Sequence, residues 1–243
     1  MRNIWIAMIM ELKGMRIYAT QLFIMMVFLP FSYAAVVLLG GATDNVAFVF
    51  SGLVVASLIG VFCNVVAMRV SNLMQPQVLE LYAVLPVHLS QAVLGIVGAY
   101  TLLVLPQIAF FFGVAAWRVI EPNLALSFLG MFLALLAMAA FGCFLGILVR
   151  NPFKAQGVFP LVTWLMLLTA PIYFATNNLP RLVVMLMLLN PATHAVNVLR
   201  PHLGFAAIID IRLSLLVVLV MAVILGWHSL RVLKDVRMIE RLF

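Results

Sequence analysis

LALSFLGMFLALLAMAAFGCFLGILV, residues Leu124 to Val149, contains no Asp, Glu, Lys or Arg. A helix rises about 1.5 Å per residue and the hydrocarbon layer of a bilayer is roughly 30 Å thick, so about 20 apolar residues cross it. This stretch is long enough for one crossing. Ile17 to Leu39, Val46 to Met68 and Leu213 to Leu230 are charge-free in the same way. The chain is therefore expected to be an integral membrane protein.

Composition agrees. Of 243 residues, 67% are hydrophobic and 9% charged, and the mean hydropathy is +1.25, whereas soluble domains carry about 25% charged residues. The expected fold is all-α: one membrane domain over residues 1–243 with six transmembrane helices. The net charge of +7 does not point to nucleic acid, because the basic residues are scattered at membrane-flanking positions. Cys63 and Cys143 lie within apolar runs and read as small buried residues. The first charge-free run follows Arg2, Glu11, Lys13 and Arg16 and is too long for a cleaved leader, so it is expected to be a retained helix.

Residues 2 to 14 set Ile4, Trp5, Met8, Ile9 and Leu12 among Arg2, Asn3, Glu11 and Lys13, a pattern for a helix lying in the interface. Span one, Ile17 to Leu39, is expected to bend at Pro30 and end at Gly40-Gly41; span two is Val46 to Met68. Between Arg69 and Gln91 polar residues intervene, and Val78, Leu81, Tyr82 and Leu85 fall at helical spacing beside Gln77 and Glu80, ahead of Pro86. This predicts a short helix on the membrane surface. Span three runs from Ala92 to Trp117 with a kink at Pro106, span four from Leu124 to Val149, and span five from Gly157 to Phe174.

Leu182 to Leu189 and Ala192 to Leu199 are each too short to cross, and Asn190-Pro191 separates them. They predict a re-entrant hairpin; one continuous span from Leu182 to Leu199 is the alternative. Span six is Leu213 to Leu230. Six spans put both termini on one side, together with Arg2, Lys13, Arg16, Arg69, Arg150, Lys154, Arg231, Lys234, Arg237 and Arg241, while Arg118, Arg181, Arg200 and Arg212 fall on the other. The positive-inside rule makes the first side cytoplasmic.

Nucleotide-binding, zinc-hydrolase and nucleophile-elbow motifs are missing from the sequence, and the four histidines are dispersed. The charge-free spans also lack the intramembrane acid or base that ion-coupled carriers use. Asn64, Gln107 and Thr163 are expected to hydrogen-bond between helices, at about 1 kcal/mol each. Gly95/Ala99, Gly130/Ala134 and Gly142/Gly146 form small-xxx-small pairs that permit close helix contact, within one subunit or between two.

Leu79-Glu80-Leu81-Tyr82-Ala83-Val84-Leu85-Pro86-Val87 and the run Ala170-Pro171-Ile172-Tyr173-Phe174, Leu179-Pro180, Leu189-Asn190-Pro191 and Arg200 carry a resemblance to the membrane subunits of ABC-2 type exporters. The order of elements is similar over nearly the whole chain. Many members have an acidic-basic-glycine cluster ahead of that glutamate, where this chain has Gln75-Pro76-Gln77.

The resemblance implies a homodimer or pseudo-dimer of permeases on two copies of a separate ATP-binding subunit that carries ATP and Mg, with no cofactor on this chain. It also implies that Val78, Glu80, Leu81, Tyr82 and Leu85 couple to the ATPase, and that Pro180, Arg181, Asn190, Pro191 and Arg200 belong to an exit-side hairpin. Met25, Met26, Phe28, Phe50, Phe62, Phe159 and Met166 form an adaptable apolar set suited to a conduit for amphipathic or lipid-like substrates. An ion-coupled carrier and a non-transporting membrane scaffold are the alternative classes.

Overall fold

The computed structural model describes residues 2–18, 46–84, 88–119, 121–176 and 179–240, with 20, 23, 31, 32, 35 and 39 individually. The first expected span, with Met25, Met26 and Phe28, lies almost wholly outside the described residues, as does Leu85. All regular structure among the described residues is helical.

Nine helices are used below: α1 (Arg2–Gly14), α2 (Val46–Leu73), α3 (Pro76–Val84), α4 (Leu89–Trp117), α5 (Leu124–Leu148), α6 (Pro152–Thr169), α7 (Arg181–Met187), α8 (Pro191–Leu199) and α9 (Ile211–Glu240). Among the described residues four of them, α2, α4, α5 and α9 to Lys234, are long and apolar enough to cross a membrane, and counting the bent pair α7 and α8 as one span makes five. The six-span expectation is therefore supported only to that extent.

α6 departs from span five in both its bounds. Asn151 caps it, accepting from the Phe153 and Lys154 N–H groups at 2.9 and 3.2 Å, and Pro152 occupies the first turn, where a missing N–H costs nothing. Pro171 excludes helical geometry at Ala170, which is extended at φ −84°, ψ 144°. The helix thus starts before Gly157 and stops at Thr169. The same Asn-Pro device opens α8, where Asn190 accepts from the Ala192 N–H at 2.9 Å. α7 and α8 meet at 97°, so Leu182 to Leu199 is not one straight span.

α2 is the centre of the molecule. Its apolar window is 78% buried, whereas that of α9 is 17% buried. α4 packs along the first half of α2, α5 along the second, and α6 and α8 on its remaining sides. α5 in turn carries α9 and α8. The outward side of α9 shows Leu216, Leu219, Val220, Val223 and Ile224 to the surroundings, an apolar face that only lipid or another subunit covers without penalty.

The α2–α5 contact uses one of the small-residue pairs. A Cβ at Gly142 would overlap the Phe62 carbonyl oxygen, and one at Gly146 would come within 2.6 Å of the Ala67 carbonyl oxygen and 2.7 Å of Val70 Cβ. This pair therefore works inside the subunit. The Phe62 contact falls within a π-helical segment of α2, Gly60–Val66. Gly142→Ala is expected to push α5 off α2 at a cost of about 1–3 kcal/mol, read as a lowered thermal unfolding midpoint in detergent; an unchanged midpoint would show that the helices part freely there.

Candidate functional site

Two groups of polar side chains lie at opposite ends of α2. Phe48 and Arg69 are 21 positions apart on it, about 30 Å at helical rise.

At the Arg69 end, α1 lies on α4 and is fixed by polar contacts. Glu11 accepts twice from Arg69, Nε at 2.7 Å and Nη2 at 2.8 Å, and Asn3 Nδ2 donates to Gln91 Oε1 at 3.3 Å. Gln91 Oε1 also accepts from the His88 N–H at 3.2 Å and so closes the start of α4. A Cβ at Gly95 would come within 2.6 Å of Ala7 Cβ, so α1 reaches α4 because that position is bare. Ser71 Oγ donates to the Val149 carbonyl and brings the end of α5 to the same face. α1 along its length, the end of α2, the start of α4 and the end of α5 thus share one end of the molecule.

α3 hangs from that end. Pro76 starts it after the Met74–Gln75 turn, with the Val78 and Leu79 N–H groups on the Gln75 carbonyl at 3.0 and 2.9 Å. Val78 and Leu79 are half-buried against the protein's own core, and Glu80 is exposed. Leu81 and Tyr82 belong to the helix. Of the expected coupling residues, Val78 thus has an intramolecular contact.

At the other end stands Arg200. Its side chain is 3% exposed. Nε donates to Ser51 Oγ at 3.1 Å, Nη2 to the Phe48 carbonyl at 3.0 Å and to the Ile172 carbonyl, and Nη1 to the Pro171 carbonyl. Cζ sits 3.5 Å from the centre of the Phe48 ring, a cation–π distance. Gly52 makes room: a Cβ there would overlap the Ile172 carbonyl oxygen and lie 2.8 Å from Nη2. One guanidinium therefore joins the start of α2, the turn after α6 and the end of α8. Sequence reading set Arg200 beside Arg181 as a surface cation of the hairpin. Arg181 is exposed, but Arg200 is an interior residue.

The remaining hairpin residues have defined tasks. Pro180 precedes α7 in extended geometry, φ −56°, ψ 141°. Asn190 caps α8 and its Nδ2 also reaches the Met166 carbonyl and Thr169 Oγ1, both at 2.8 Å, fastening α8 to the end of α6. Pro191 fills the first turn. Residues Ala192 to Leu199 are all buried. His194 Nε2 faces the Leu188 carbonyl at 2.9 Å and Nδ1 faces Ser214 Oγ at 3.2 Å. Asn197 Nδ2 donates to Ser214 Oγ at 2.9 Å and to the Ile209 carbonyl at 3.0 Å, while Oδ1 accepts from the Ile208 N–H at 2.7 Å. Gly204, at φ 81°, ends the turn that follows α8.

Ser51, His194, Asn197 and Ser214 escaped the sequence reading. A signal was present: Asn190, His194 and Asn197 recur at intervals of four and three, a polar stripe on a helix otherwise headed for an apolar interior.

Of the suggested conduit residues within the described chain, Phe62 and Phe159 are fully buried, and Phe50 and Met166 nearly so. They pack the interior of this subunit. Phe50 joins Phe31, Phe110 and Phe111 in an aromatic cluster with ring centres 5.0 to 6.4 Å apart. The amide of Gln107 and the hydroxyl of Thr163 are buried and find no hydrogen-bond partner among the described residues.

Compared with known protein families, the chain matches the model described as ABC-2 family transporter protein over residues 30–231. No curated protein matches it significantly.

Arg200→Met should leave the Pro171 and Ile172 carbonyls without their donor, while the Phe48 carbonyl keeps the Ser51 hydroxyl, at about 1–3 kcal/mol for each acceptor that water fails to reach. Arg200→Lys is expected to recover only part of this, since an ammonium lacks the planar fork; thermal unfolding of both variants in detergent measures the order. For Glu11 and Arg69, a double-mutant cycle with Glu11→Gln and Arg69→Gln should give a coupling near the upper end of the exposed-pair range, about 1 kcal/mol. A coupling of zero would mean that packing alone holds α1.

Proposed function

Because the chain belongs to the ABC-2 transporter family, we propose that it is the membrane-spanning permease subunit of an ATP-driven exporter that moves an amphipathic or lipid-like substrate outward. Permeases of this family work with an ATP-binding subunit. Two copies of that subunit would carry ATP and Mg beneath a homodimer of this chain, in a cell inner or plasma membrane with both termini cytoplasmic. The observation that carries the reading is the family match, which takes in α2 through most of α9.

The geometry supports the orientation chosen. Arg2, Lys13, Arg69, Arg150 and Lys154 belong to the end where α1, α3 and the α5–α6 loop meet, and cytoplasmic ends are the basic ones. A soluble ATPase docking there would meet α3 first. Val78 anchors α3 on its own subunit, while Glu80 is free to address a basic rim and Tyr82 and Leu85 supply the apolar anchors that interface centres favour.

Coupling with the ATPase then depends on α3 and not on the absent acidic-basic-glycine cluster. The substrate path would run between the two copies, because the Phe62 and Phe159 side chains are closed inside one subunit.

Co-expression with a candidate ATP-binding subunit and affinity purification from the membrane tests the assembly, with a stoichiometric ATPase as the expected product. In reconstituted vesicles, the Tyr82→Ala/Leu85→Ala variant should keep insertion and lose export, with ATPase turnover no longer stimulated by substrate. Full ATPase binding and full transport in that variant would overturn the role of α3. Transport by the chain without any ATPase would overturn the exporter itself.

A further inference from the structure

Beside the Arg200 clasp a pocket of about 150 Å³ opens between Phe48 at the start of α2, Phe174 and Thr176 after α6, and Phe205 in the loop after α8. Arg200 forms part of its wall. A cavity of roughly this size takes a molecule such as benzene, so the pocket admits a headgroup or a short chain and not a whole lipid.

Its wall combines a buried cation with three aromatic side chains. A guanidinium has five N–H donors and no acceptor. Four are engaged here, two on Nη2, one on Nε and one on Nη1, and every acceptor is a neutral carbonyl or hydroxyl. The second Nη1 N–H has no partner among the described residues. No carboxylate among them pairs with Arg200 either; the ion pair present is Arg69 with Glu11, about 30 Å away along α2. A desolvated cation favours an anion far more than a surface cation does, because the surrounding medium screens so little. The charge-assisted bond it would form is also roughly twice as strong as a neutral one.

We propose that this pocket binds the anionic head of an amphiphile, with a carboxylate or phosphate oxygen on Nη1 of Arg200 and the adjoining apolar portion against Phe174 and Phe205. The assignment deepens the exporter reading and rests on it: the pocket lies at the end of α2 remote from α3, which that reading makes the release side, and the substrate class becomes anionic. Binding itself is a property of this chain alone. Asp44 lies two residues ahead of α2 in the sequence, so Asp44→Asn serves as the control for a carboxylate of the chain itself.

The test is equilibrium binding to the purified full-length protein in a neutral maltoside detergent, with octyl phosphate as probe, and with octyl glucoside and inorganic phosphate as comparisons. Saturable binding of octyl phosphate is expected, weaker by at least about tenfold for octyl glucoside and for inorganic phosphate. Ala206→Trp, at an exposed residue of the pocket lining that makes none of the clasp's hydrogen bonds, should lower octyl phosphate affinity by about the same factor while leaving the unfolding midpoint unchanged.

Equal binding of octyl glucoside would overturn the anion requirement. Equal binding of inorganic phosphate would overturn the amphiphile and leave a free-anion site. Binding that appears only in Asp44→Asn would show that the chain's own carboxylate fills the position, and would also overturn the proposal. A stoichiometric ATPase partner without anion binding removes the pocket assignment and leaves the exporter reading intact. Anion binding without any ATPase dependence of transport does the reverse.

Discussion

One guanidinium holds together three segments far apart in the sequence: the start of α2, the turn after α6 and the end of α8. The turn after α6 and the stretch after α8 leave the helical hydrogen-bond ladder, and carbonyl groups there have no donor one helical turn on. In hydrocarbon a free carbonyl costs several kcal/mol. Arg200 collects those of Pro171 and Ile172 and adds the Ser51 hydroxyl and the Phe48 carbonyl, which also accepts from Ser51 Oγ at 2.6 Å. Asn197 does the same for the Ile209 carbonyl, while Asn190 adds a second donor to the Met166 carbonyl, which also accepts from the Ala170 N–H at 3.0 Å. Non-helical backbone at this end of the molecule is thus tolerated because long or forked polar side chains from α8 and its flanks reach back to satisfy it.

Elsewhere the helices are held by shape. Lipid is as apolar as leucine, so burying leucine between helices gains little, and contact depends on how closely the backbones can come. The bare positions at Gly142 and Gly146 let α5 lie directly on the carbonyl groups of α2, and Gly130 does so against the Val198 carbonyl of α8, where a Cβ would stand 2.8 Å from the oxygen. α2 consequently touches neighbours on almost every side while α9 touches few, although both are comparably apolar in sequence.

That contrast marks what could be read from the chain alone. The charge-free runs locate α2, α4, α5 and α9 because exclusion of charge from hydrocarbon acts on each residue by itself. The break at Asn190-Pro191 is legible for the same reason: proline's missing N–H is a local property. The Gly142/Gly146 pair announces a close approach but not its partner, since the spacing is the same for a contact within a subunit or between two.

Arg200 was legible as a residue and not as a clasp, because three of its four acceptors are backbone carbonyls, which every residue possesses and no sequence pattern marks. Val78 shows the same limit from the other side. Helical spacing groups it with Leu81 and Tyr82, yet a helix lying between its own core and a partner needs apolar residues toward both, and spacing does not say which side each one takes.

The two ends of α2 are pinned by bonds of different kinds, and this bears on how a movement at one end would be felt at the other. The Glu11–Arg69 pair has an arginine 39% exposed, so water screens it and can replace either partner at little cost. The Arg200 clasp is buried, and each bond lost there exposes an acceptor that water does not readily reach. A displacement of α1 or α3 can therefore be absorbed at the Arg69 end by loosening the ion pair, while the other end moves as a block with the turn after α6 and with α8. Between them lies the π-helical segment Gly60–Val66, where hydrogen bonds skip one residue further and where α5 rests on Phe62. In the proposed exporter α2 is then a lever with a stiff grip on the release side and a soft grip on the ATPase side.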